Sequence, residues 1–136
     1  MILVDTGFFL ALANRRDANH ARAKQALAKV RGPMHTTWPV LTETCHLLAD
    51  RLGVDAELKF VSAVALGSFE LFALERAHLP RVEALMKKYR SLPMDLADAS
   101  LVLLAEESGC GDIVSTDERD FGVYRWKNHK PFRNLL

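Results

Sequence analysis

Residues 1–14, MILVDTGFFLALAN, decide how the rest of the chain is read. Ile2, Leu3 and Val4 form an apolar run with no polar face, the pattern of a strand buried on both sides in a parallel sheet. The run stops at Asp5. Thr6 and Gly7 turn the chain, and residues 8–13 have helix-forming composition. Asp5 therefore stands at the carboxyl end of a central strand, just before a helix. Open α/β sheets hold their ligands at that edge.

Strands and helices alternate downstream. Asp17 and Asn19 are cap-type residues ahead of a helix over 20–30, and Gly32-Pro33 ends it. Residues 34–37 are a short extended piece. Pro39 suits the first turn of a helix that runs to Leu52 and stops at Gly53. Asp55 is the expected cap of a helix over 56–66, followed by a strand over 68–74 and a helix over 79–89. Residues 94–108 are apolar nearly all round, which predicts a buried helix. Residues 113–115 form a strand leading into Thr116-Asp117, and 121–124 are expected to be a last edge strand. This order predicts an α/β fold, a three-layer α/β/α sandwich around a mostly parallel sheet of four to five strands, as one domain over residues 1–136.

Hydrophobic residues make up 49% of the chain and charged ones 26%, with a net charge of +1. That balance suits a soluble globular domain and neither requires nor excludes a nucleic-acid partner. Cys45 and Cys110 form no CxxC pair, so buried thiols in a reducing compartment are expected. No apolar run reaches the ~20 residues of a membrane span, and the start lacks a basic region and a cleavage site. A cytoplasmic protein is the expectation. His20, His35, His46, His78 and His129 show no paired metal-binding spacing and read as structural or surface residues.

The acids carry the chemistry. Asp5 and Asp117 each end a strand, follow or precede a threonine, and lead into a turn. Asp95 and Asp98 open the most apolar helix, and Glu43 lies one turn into an earlier one. Each has an ordinary explanation as a helix cap or a dipole partner. Asp98 is a better ligand candidate than Asp95, because it runs directly into Ala99-Ser100-Leu101-Val102, and a carboxylate entering a buried helix must be paired, hydrogen-bonded or metal-bound. Two strand ends and two helix starts at one sheet edge would gather four carboxylates. Such a group repels itself unless a cation joins it, and all-oxygen ligands suit Mg²⁺ or Mn²⁺ rather than Zn²⁺. Asp120 lies beyond the strand end, and Asp112 at the wrong end of its strand.

MILVDTGFFLAL, LTET, MDLADASLVLLAEE and IVSTDERDF, in that order, resemble the motifs of the PIN domain family. More narrowly they resemble the toxin nucleases of VapBC-type toxin–antitoxin pairs, over nearly the whole chain. The resemblance implies that Asp5, Glu43, Asp98 and Asp117 form the catalytic and metal-binding cluster, with Asp95 a less certain fifth. It also implies a ribonuclease using one or two Mg²⁺ or Mn²⁺ ions, an RNA substrate, a homodimer and a cognate antitoxin protein.

Two other functions fit parts of the pattern. A haloacid-dehalogenase-like phosphatase also carries an Asp after its first strand, but needs a second acid where Gly7 stands. A PIN-like domain that binds without cutting would need no convergent acids. Cations suited to RNA are Arg15, Arg16, Lys87, Lys88, Arg90, Arg119, Arg125 and Lys127. Trp38, Tyr124 and Trp126 are candidates for base stacking, with Trp38, at an apolar helix start, read rather as core.

Overall fold

A computed structural model describes residues 1–136. The strand β1 (Ile2–Val4) is buried throughout, as its unbroken apolar run requires. Helices α1 (Thr6–Ala13) and α2 (His20–Lys29) follow, then β2 (Met34–Thr37), α3 (Trp38–Leu52), α4 (Val54–Ala65) and β3 (Glu70–Phe72). A short 3-10 turn at Arg76–His78 leads into α5 (Leu79–Lys88), and α6 (Leu96–Ser108) and β4 (Asp112–Val114) come next. The chain ends with α7 (Glu118–Val123), the antiparallel pair β5 (Arg125–Trp126) and β6 (Lys130–Pro131), and β7 (Arg133–Asn134).

Five strands form one parallel sheet in the order β3-β2-β1-β4-β7. Helices flank it: α1 packs on α2 and α3, α3 on α4, and α5 on α6. The chain steps outward from β1 through β2 to β3, then returns to the far side of β1 for β4. That reversal opens a crevice beyond the carboxyl ends of β1 and β4, where open α/β sheets bind ligands. Leu3 and Val4 register with Ile113 and Val114, so Asp5 and the residues after β4 emerge together. As its composition predicts, α6 is buried along most of its length, from Ala97 through Ala105 apart from Asp98.

The structure corrects several boundaries. Residues 121–124 lie mostly in α7, not in a strand; the sheet edge is β7. Asp112 and Arg133 join β4 to β7 through two hydrogen bonds, at 2.8 and 2.5 Å. Asp55 lies within the first turn of α4, whose N-cap is Gly53 with φ +97°. The β3 strand is shorter than 68–74, and α6 begins after Asp95 rather than at Met94. Cys45 and Cys110 are free and only half-buried. No helix is long and apolar enough to cross a membrane.

Candidate active site

Asp5 caps α1 and is almost wholly buried, 6% exposed. Its Oδ1 accepts from the Thr6 N–H at 2.7 Å and its Oδ2 from the Ser115 hydroxyl at 2.8 Å. The same Ser115 hydroxyl accepts from the Asp117 N–H at 3.0 Å, so one serine ties the two strand-end acids together. Ser115 is itself held at the sheet edge. Its N–H donates to Asn134 Oδ1 at 3.2 Å, and Asn134 Nδ2 donates back to its carbonyl at 2.8 Å.

Asp95 and Asp98 form a reciprocal cap at the start of α6. Asp95 Oδ1 accepts from the Asp98 N–H at 2.8 Å, and Asp98 Oδ2 from the Asp95 N–H at 3.4 Å. Asp98 Oδ2 also accepts from the Tyr124 hydroxyl at 3.2 Å. Asp117 caps α7 by accepting from the Asp120 N–H at 3.1 Å. The capping explanation is therefore correct for Asp5, Asp95 and Asp117, and it does not compete with a site. A cap uses one carboxylate oxygen, and all three capping acids also line the crevice.

Asp5, Glu43, Asp95, Asp98 and Asp117 all line one cavity of about 390 Å³. Asp120 lines it too, a buried acid set aside on sequence grounds because it lies past the strand end. The α7 turn brings it back, and the signal was its place one turn after the Asp117 cap. Thr6, Thr116 and Arg119 complete the polar wall. Gly7 lets the wall close: a Cβ there would stand 1.9 Å from Thr116 Oγ1. The same crowding leaves no room for the second acid of a dehalogenase-like site.

The electrostatics are those of an uncompensated anionic pocket. Burial raises Asp5 to about 6, against the bonds from Ser115 and Thr6, and the charges of Glu43 and Asp117 add to the rise. Burial, then Asp95 and Asp5, push Asp98 up to about 8. Glu43 and Asp117 are also raised, first by burial and then by neighbouring carboxylates. None of Asp5, Glu43, Asp95, Asp98 or Asp117 enters a salt bridge; the only ion pair at the cavity is Arg119 with Asp120. Thr6 Oγ1 is buried in this wall with no partner at full hydrogen-bonding geometry, though it stands near enough to Glu43 to hold back the rise of that carboxyl. An all-oxygen donor set and a surplus of negative charge fit a hard divalent cation. In this arrangement of side chains no three of the acids clasp a single point.

Of the suggested RNA-binding cations, only Arg119 lines the cavity. Tyr124 is fully buried and Trp126 is 7% exposed, so neither presents a ring face to a base. Trp38, expected in the core, is 51% exposed.

A parallel sheet with acids gathered beyond β1 and β4 defines a class, and the chain belongs to it: the PIN domain family model matches residues 2–127. Among named relatives, it is similar to ribonuclease VapC26 of Mycobacterium tuberculosis. The two are 28% identical over 124 residues, spanning 91% of this chain and 92% of that protein. Its fold matches the crystal structure of M. tuberculosis VapC20, a toxin described as cleaving the sarcin–ricin loop. The TM-score is 0.81 at 24% identity, covering 88% of this chain and 92% of that one.

Proposed function

We propose that the protein is a Mg²⁺- or Mn²⁺-dependent endoribonuclease and the toxin of a VapBC-type toxin–antitoxin pair. The observation that carries the reading is the unpaired cluster of acids, drawn from four separate segments into one crevice. The family match and the ribonuclease VapC26 relative support RNA as the substrate.

Asp5, Asp98 and Asp117 would hold the cation, with Asp95 or Asp120 completing the set. Glu43 would accept a proton from an attacking water, a role supported by the raised proton affinity that burial gives it. Such an ion, when bound, supplies positive charge to a phosphodiester and lowers the pKa of water. Ser115 would hold the Asp5 carboxylate against the backbone of Asp117, and Tyr124 would orient Asp98. No residue attacks covalently, which agrees with the lack of a nucleophile–histidine pair at the cavity. In this reading the chain acts in the cytoplasm as a homodimer and is silenced by a cognate antitoxin.

The test is cleavage of RNA by the purified protein. EDTA should stop it, and Mg²⁺ or Mn²⁺ should restore it. Asp98→Asn should fold and fail to cut. Chelator-resistant cleavage would remove the metal from the mechanism, and an active Asp98→Asn variant would remove the site. A folded wild type that binds RNA and leaves it intact would identify a binding domain instead.

A further inference from the structure

Trp38 is the one aromatic among the large apolar side chains left in solvent. It opens α3, where its carbonyl accepts from the Thr42 hydroxyl at 3.0 Å, so the indole is carried on the rigid first turn of a helix. A groove of about 600 Å³ runs from it, lined also by Pro39, His46, Leu74 and Leu96. The groove shares Glu43 and Asp95 with the acid cavity, so the two adjoin. No arginine or lysine lines it. Glu43 and Asp95 would repel a phosphate, while the exposed indole and the leucines favour a flat, weakly polar group.

We propose that this groove is a base-stacking subsite, in which Trp38 receives the face of an unpaired nucleobase next to the scissile phosphate of a single-stranded RNA. The subsite rests on the ribonuclease reading. Every base has a π face, so a lone indole grips the strand without choosing a sequence. His46, which also lines the groove, offers a ring nitrogen to a base edge. A base inside a duplex has both faces covered, so the subsite selects looped or unpaired RNA.

The test uses the full chain and a randomised-sequence RNA decamer. In EDTA, where the strand stays whole, RNA should quench tryptophan emission of the wild type. Trp126 is 7% exposed and should report almost nothing, so Trp38→Phe should show no quench. With Mg²⁺, Trp38→Ala should raise KM about five- to hundredfold, the range for loss of one base-on-aromatic stack, and leave kcat within about twofold. Trp38→Phe should recover part of the affinity. A quench that persists in Trp38→Phe, or an unchanged KM in Trp38→Ala, overturns the subsite while wild-type cleavage keeps the nuclease reading. Weaker binding in Trp38→Ala together with a halved molar mass in light scattering assigns the groove to a contact between copies and also overturns it. A wild type that neither quenches nor cleaves overturns both readings.

Discussion

Replacing Asp5 with asparagine should stabilise the metal-free protein while destroying its activity. Asp5 is buried, and its ionisation moves from 3.8 to about 6 on folding, mainly through loss of water. At about 1.4 kcal/mol per tenfold change in proton affinity, the ionised side chain costs the folded state roughly 3 kcal/mol at pH 8. Asparagine removes that charge and keeps an oxygen for the Thr6 N–H. It weakens the Ser115 bond, because that hydroxyl now faces an amide instead of a carboxylate, at about 1–2 kcal/mol. The net gain is about 1–2 kcal/mol, a rise in Tm of roughly 3–8 °C for a domain of this size. The assay is thermal denaturation in EDTA at pH 8 and pH 5. The gain should shrink toward zero at pH 5, where wild-type Asp5 is protonated in the fold. Adding Mn²⁺ should raise the wild-type Tm and leave Asp5→Asn unmoved. A variant less stable than wild type at pH 8 in EDTA, or one that responds to Mn²⁺ as wild type does, would refute the account of Asp5 as a strained ligand.

Wild-type stability should itself fall with rising pH. Asp5 and Asp98 titrate higher in the fold than in the unfolded chain, so their contribution is complete below about pH 4 and is lost as pH rises through about 6 and about 8. Saturating Mg²⁺ should flatten that slope; a metal-free Tm that climbs between pH 5 and 8 would contradict it. Tyr124→Phe removes the one side-chain hydroxyl on Asp98 and should weaken Mn²⁺ binding by about tenfold in a calorimetric titration, with the fold retained. Gly7→Ala should cost about 1–3 kcal/mol through collision with Thr116 Oγ1, and adding Thr116→Ala should restore part of the loss in urea denaturation.

The parallel sheet, the buried α6 and the places of Asp5 and Asp117 after strands and of Asp98 at a helix start were legible in the residues, while Glu43 stood out through the family resemblance. An unbroken apolar triplet such as Ile2-Leu3-Val4 suits little else than a central strand, and an acid directly after it has one sheet edge to occupy. Periodicity reports burial within a segment, and those features are local. Tertiary packing settled the rest. Phe121 and Tyr124 look strand-like in isolation, yet the α7 turn lets both pack edge-on in the core, and it turns Asp120 into the cavity. Asn134 becomes the support of Ser115 only because β7 pairs with β4 across some twenty residues of chain. Trp38 looks like core because it begins an apolar helix, but the helix buries Val40, Thr44 and Leu48 instead, a face that does not include it. Which side of an element meets the core, and which distant side chain reaches a carboxylate, depends on how elements dock, and no local pattern of residues encodes that.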